Sequence, residues 1–192
     1  EQGLVLPKSE GAQWLGSGSI WPDPLRADRF LMNISEWYGP AMLRGQQQIV
    51  FAESADLRHW RRLDAAAFCP DPHWYAVDRD EQSRWDCISV FPRGAGGLFG
   101  YWTANPLAVR PGFGFGFSAD GRQWQALEPP QIEWGEGGPP TSLEVGGVAV
   151  VEERVLLLAG VIDGYKGQRG MLTLVAERPE GPFRPAERNL FM

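Results

Sequence analysis

The chain has 192 residues and a net charge of −6, with no block of basic residues. The clustered cations that hold nucleic-acid phosphates are missing, so no nucleic-acid partner is expected. Its longest apolar run, residues 155–162, is too short to cross a bilayer as a helix, so no membrane partner is expected either.

Glycine (24) and proline (16) make up about a fifth of the chain, more than average but less than in disordered sequences, and nine tryptophans mark a chain that folds. It opens on Glu1 with no charged-then-apolar leader, so either a signal has been removed or this is a piece of something longer, and the repeats described below favour the second. No stretch has the apolar period of an amphipathic helix. Short runs rich in Val, Ile, Phe, Trp and Leu alternate with turn residues, which predicts an all-β fold. In chain order, strands are expected at 14–21, 29–36, 48–53 and 59–63, then at 85–91, 98–103, 114–118 and 123–127. A last group is expected at 144–151, 154–161, 171–177 and 183–185. Gly94-Ala95-Gly96-Gly97 and Glu152-Glu153 supply hairpin turns, and Asp120-Gly121 a tight turn before a short outer strand.

Internal repetition organises these strands. Ser54-Ala55-Asp56, Trp60 and Leu63 recur as Ser118-Ala119-Asp120, Trp124 and Leu127, each 64 positions later, and Ala176 to Phe183 is a fainter third copy. Four antiparallel strands per repeat of about 60 residues match the blade of a β-propeller. Blades are expected at 14–64, 84–128 and 143–188. Rings close with about 4–8 blades, so the expectation is about three blades of a five-bladed ring, with open edges that favour association.

In a propeller the innermost strand of each blade lines the central channel. The three innermost strands begin Ser17-Gly18-Ser19, Asp86-Cys87-Ile88 and Glu144-Val145-Gly146, so two of them place a carboxylate at equivalent positions, 58 residues apart. Convergent carboxylates suit glycosidic cleavage, in which one stabilises charge and another protonates the leaving oxygen. Cys69, His73 and Cys87 match no zinc-finger or ribbon spacing, so no metal site and no cofactor are expected. Two cysteines leave either redox compartment open.

The segments Ser17-Gly18-Ser19, Trp85-Asp86 and Leu143-Glu144 resemble the motifs that open blades two, three and four of the β-fructosidases and their arabinan- and xylan-cleaving relatives, glycoside hydrolase families 32 and 43. The stretches 52–60 and 117–124 resemble the Ser-x-Asp-x-x-x-Trp outer-strand element of the same clan. The resemblance implies that Asp86 is the transition-state-stabilising acid and Glu144 the general acid/base, acting on a furanoside or related carbohydrate. It implies substrate contacts from Ser17 and Ser19. Where that family has Arg-Asp-Pro and Glu-Cys, this chain has Arg84-Trp85-Asp86-Cys87 and Glu144-Val145, which moves it away from the fructan branch and leaves the pentosidase branch open. The blade-one segment with the nucleophile or base has no match, and Asp23-Pro24 only mimics its dipeptide from a hairpin.

Trp85 and Trp134 are candidate sugar-stacking platforms, because aromatic faces pack on apolar sugar faces; the alternative for each is ordinary core packing. Trp60 and Trp124, at the repeated position, are expected to pack between blades. His73, in the connection entering the second repeat, is a candidate substrate contact unless that segment packs between blades. Glu133 and Glu136 stand second to Glu144, as solvated loop acids. Asn33, Glu36, Trp37 and Tyr38 are expected on a rim. The glycines at 112–116 precede no helix, so they read as close strand packing and not as a phosphate cradle.

Overall fold

The computed structural model describes residues 5–39, 47–63, 66–77, 84–94, 96–165 and 168–191, the side chains of 162–165, 168–169 and 188–191 excepted. Asp64 and Ala95, which fall in an expected blade end and hairpin, lie outside the described residues.

The described residues form three antiparallel sheets, each ordered along the chain. The first contains β1 (Trp14–Leu15), β2 (Ile20–Pro22), β3 (Phe30–Trp37), β4 (Gln47–Ser54) and β5 (Trp60–Arg62). Here the innermost strand is split: β1 and β2 both pair with β3, on either side of residues 16–19. The second sheet is β6 (Trp85–Pro92), β7 (Leu98–Ala104), β8 (Gly114–Ser118) and β9 (Gln125–Ala126). The third is β10 (Glu144–Val151), β11 (Arg154–Tyr165), β12 (Gln168–Ala176) and β13 (Arg184–Phe191). The last strand is therefore longer than its three predicted residues, because it pairs again with β12 beyond an irregularity at Leu172/Leu174. Three antiparallel meanders of four strands, the first with its inner strand split in two, and almost no helix among the described residues make this chain a β-propeller fold.

The blades are held face to face by apolar layers. Between the first and second lie Trp21, Leu31, Phe51, Ile88, Trp85 and Trp102. Between the second and third, Tyr101, Phe113 and Phe115 meet Leu157, Leu172 and Phe183. The middle strands are buried on both faces, which is why β4 carries the unbroken apolar run Ile49-Val50-Phe51-Ala52 and not an alternation. Gly114 belongs to this packing: a Cβ there would stand 2.1 Å from the Trp102 ring. On its far side, the first blade carries a smaller cluster of Leu6, Ile34, Val50 and Ala52, against which Trp60 packs.

The two Ser-x-Asp turns fold alike. Ser54 Oγ accepts from Leu57 N, and Asp56 Oδ1 from Arg58 N and His59 N. Ser118 Oγ accepts from Gly121 N, and Asp120 Oδ1 from Arg122 N and Gln123 N. In each turn the Trp indole N–H donates 3.3 Å to the carbonyl of residue 57 or 121. Their surroundings differ. Trp124 packs edge-on to Trp21 between the first and second blades, whereas Trp60 packs against the separate Leu6, Ile34, Val50 and Ala52 cluster of the first blade.

Candidate functional site

The carboxylates of Asp86 and Glu144 come together on one cation. Arg84 Nη2 donates to Asp86 Oδ2 at 3.0 Å and to Glu144 Oε1 at 3.3 Å. Two oxygens at those distances from one nitrogen stand no more than about 6.3 Å apart. Asp86 is 3 % exposed, while 46 % of the Glu144 side chain meets solvent. Asp86 Oδ1 is buried and accepts no hydrogen bond among the described residues. A buried polar atom without a partner is uncommon in folded chains, where such groups are nearly all hydrogen-bonded.

Local backbone geometry aims both acids. Between Asp86 and Ser89 the β6–β7 ladder slips, and Cys87 takes a positive φ of 54°, a conformation that side chains other than glycine rarely adopt. A second bulge follows Glu144, between Val145 and Gly147. Bulges re-aim side chains next to active sites, and strain of this kind clusters there. Burial, then the charge of Asp86 and also that of Glu144, push the Cys87 thiol pKa up, against the Ser17 hydrogen bond.

The bulges are pinned from the preceding blade. Asn33 donates to Ile88 O at 2.8 Å and accepts from Ile88 N at 3.1 Å, and Ser35 Oγ accepts from Cys87 N at 2.8 Å. Thr103 Oγ1 accepts from Val145 N at 2.9 Å. Gln47 Oε1 accepts from Trp85 N at 2.9 Å. Ser35, Gln47 and Thr103 are not singled out by the sequence, and Arg84 enters there only as part of a motif. Asn33 and Glu36 sit fully buried, not on a rim.

Several candidates stand elsewhere. Trp85 is 1 % exposed and packs against Phe68, Trp102 and Tyr75 at 4.9, 5.0 and 5.1 Å, its indole donating to Phe68 O. It is a core residue and not a sugar platform, because the strand turns it to the face opposite Asp86. Ser19 Oγ is committed to Ile88 O at 2.5 Å and to Asn33, so it pins two blades together. Ser17 is exposed. Trp134 is half-buried against the second–third blade layer. His73 is exposed and edge-on to Trp74, in a strap that the buried Tyr75 fastens to the second blade through Phe115 N and Leu127 O. Glu133 and Glu136 are exposed.

A second carboxylate pair lies at the opposite end of the strands. Asp23 accepts from Arg122 at 2.5 Å and from Arg26 at 3.0 Å, and Glu53 accepts from Arg26, Arg61 and Arg122. Burial alone would raise both acids. The hydrogen bonds of Arg122, Leu25 N and Arg26 outweigh it at Asp23, those of Arg61, Arg26 and Arg122 at Glu53, and each pKa falls to about 2. Asp23 is thus a structural ion-pair residue in a hairpin. Among the described residues, no group of three or more His, Cys, Asp or Glu could hold a metal.

No protein-family model matches the chain, and no curated protein does. Solved structures share its fold at low identity. A family 117 glycoside hydrolase from the marine bacterium Zobellia galactanivorans is 14 % identical with a TM-score of 0.59, over 95 % of this chain and 58 % of that one. An exo-1,5-α-L-arabinanase from a bovine ruminal metagenomic library is 14 % identical with a TM-score of 0.53, over 86 % and 53 %. A mutant of the family 43 protein BlXynB from Bacillus licheniformis is 14 % identical with a TM-score of 0.56, over 91 % and 31 %. The chain spans less than two thirds of the length of each of these structures. At these identities the likeness is one of fold: this chain is built on the propeller that glycoside hydrolases of families 43 and 117 also use.

Proposed function

We propose that this chain carries a carboxylate pair of a glycoside-hydrolysing propeller that acts on furanosides, arabinosides or fructosides. The observation that carries the reading is the meeting of Asp86 and Glu144 on Arg84, with Asp86 Oδ1 buried and unpartnered. Glu144, the more exposed acid, gives its proton to the glycosidic oxygen as the bond to the anomeric carbon breaks and an alcohol leaves. Asp86 accepts a sugar hydroxyl and stabilises the positive charge that builds on the ring. The nucleophile or base is a third carboxylate, which this reading assigns to a further innermost strand of a longer parent. The isolated chain then binds sugar without turning it over.

Arg84 donates to both acids and so uses them as acceptors, an arrangement equally suited to recognising hydroxyls. That favours a second reading, a non-catalytic carbohydrate-binding propeller. Assays with aryl α-L-arabinofuranoside and β-fructoside separate the two. Hydrolysis by the parent, lost in Glu144→Gln, supports the enzyme. Sugar binding by a parent that turns over neither substrate supports the binding module. Turnover by the isolated chain at the parent's rate refutes the assignment of the third carboxylate elsewhere.

A further inference from the structure

The hydroxyls of Ser35 and Thr103 occupy the same place in successive repeats. Each lies on the second strand of its blade, 68 positions apart, as do Phe30 and Leu98, which open those strands. Each reaches across to the next blade and accepts the backbone N–H of the residue just after a carboxylate: Ser35 from Cys87, Thr103 from Val145. Cys87 and Val145 are themselves 58 positions apart, as are Asp86 and Glu144. Both hydroxyl residues are buried, at 0 % and 2 % exposure. Thr103 is also the ladder partner of Asp86, so it touches the backbone at both acids.

We propose that Ser35 and Thr103 are positioning residues, a repeated interblade latch that sets the spacing of Asp86 and Glu144 by holding the peptide next to each. The inference rests on the functional reading above for its catalytic meaning but not for its geometry. Cys87 lies inside its slip, where the strand's own neighbour no longer fixes the peptide plane, and Val145 is the last in-register residue before the slip in β10; at each, an N–H bound from the neighbouring blade supplies the hold. A latch of this kind ties the carboxylate separation to blade packing. Catalysis depends on such placement, and an error of about 1 Å costs about a hundredfold.

The test compares Thr103→Val, which keeps the shape and loses the acceptor, with Thr103→Ser, which keeps the acceptor. The guanidinium NMR signals of Arg84 in the isolated chain report its double carboxylate contact without any need for turnover. Thr103→Val is expected to shift and broaden them, and Thr103→Ser to preserve them. In a hydrolysing parent, Thr103→Val should lower kcat about a hundredfold with KM within about threefold, and Thr103→Ser should restore it. Ser35→Ala removes a single oxygen and decides the matter if Thr103→Val does not fold. An unchanged Arg84 signature in folded Thr103→Val or Ser35→Ala overturns the latch, even if the melting temperature drops. A changed signature in a parent that hydrolyses nothing leaves the latch standing and removes only its catalytic meaning.

Discussion

Two carboxylate pairs bridge neighbouring blades, and they are furnished in opposite ways. Asp23 and Glu53 share Arg26 and Arg122, and Glu53 also accepts from Arg61. Asp86 and Glu144 share the single Arg84, and one buried oxygen of Asp86 accepts nothing among the described residues. The first pair is saturated and has nothing left to offer a ligand. Among the described residues the second pair has a single cation and an unpartnered carboxylate oxygen, and under the proposed function a sugar hydroxyl donates there. Charge alone does not separate structural acids from functional ones; completeness of hydrogen bonding does.

The sharpest way to break the comparison is to neutralise the under-supplied pair. Asp86→Asn or Glu144→Gln should lower hydrolysis by a longer parent about a thousandfold or more, since acids that act as a unit fail together. Stability, read by thermal melting, should move by less than about 1 kcal/mol, because neither acid is fully paired to begin with.

Removing a cation from the saturated pair should do the reverse. Arg122→Ala removes one of the two cations on the buried Asp23 and should cost about 2–3 kcal/mol in urea unfolding, with sugar binding intact. Arg84→Ala, at a half-exposed site, should cost only about 1 kcal/mol. Equal costs would show that the two clusters are of one kind.

Acid sharpens the contrast. Asp23 and Glu53, ordinarily near 3.8 and 4.5, are held at about 2 in the fold. Because their folded values are depressed, their contribution is complete above about pH 4.5 and drains as pH falls toward 2. On the order of 2 kcal/mol per acid should be lost across that window. Melting curves of the wild type and Arg122→Ala should converge there.

The smallest effect concerns the paired turns. Leu57 holds a φ of 61° where Gly121 holds 73°. Gly121 is also required by packing, since a Cβ would come within 2.7 Å of Leu31, whereas Leu57 is 48 % exposed. Leu57→Gly should therefore stabilise by up to about 1 kcal/mol, relief of strain outweighing the added chain entropy. A lower melting temperature would show that the Leu57 side chain matters.

Much of this was legible in the chain itself. The recurring Ser-x-Asp and Trp positions marked the repeats, and an acid at the head of two matching strands marked Asp86 and Glu144. The sequence leaves Trp85 between a sugar platform and the core, because alternation along a strand does not reveal which face is the core when a bulge follows. Arg84 follows an acid-rich stretch and looks like one more solvated charge; its role depends on a residue 60 positions away. Ser35 and Thr103 stand out only once the second strands are aligned, and Asn33 only because it is buried without being apolar. Glu36 reads as a rim acid in sequence. Its burial depends on Arg62, Tyr38 and Ser9 N, contributed by other segments.

The slip in β6 has a further consequence. Trp85 and Ile88 enter the same aromatic layer although they are three positions apart, where a regular strand would demand an even spacing. The strand thus contains one residue more than its packing uses, and that surplus sits beside Asp86. β10 carries the same kind of surplus just beyond Glu144. Each strand behaves like a text with an elastic hyphen: its apolar half keeps its phase whatever is added or lost at the seam. A chain lacking Cys87 should still seat Trp85 and Ile88 in their layer while turning Asp86 to a new bearing. Single-residue changes of length at these two seams are therefore a route by which a propeller of this kind can alter what its channel grips without rebuilding the blades.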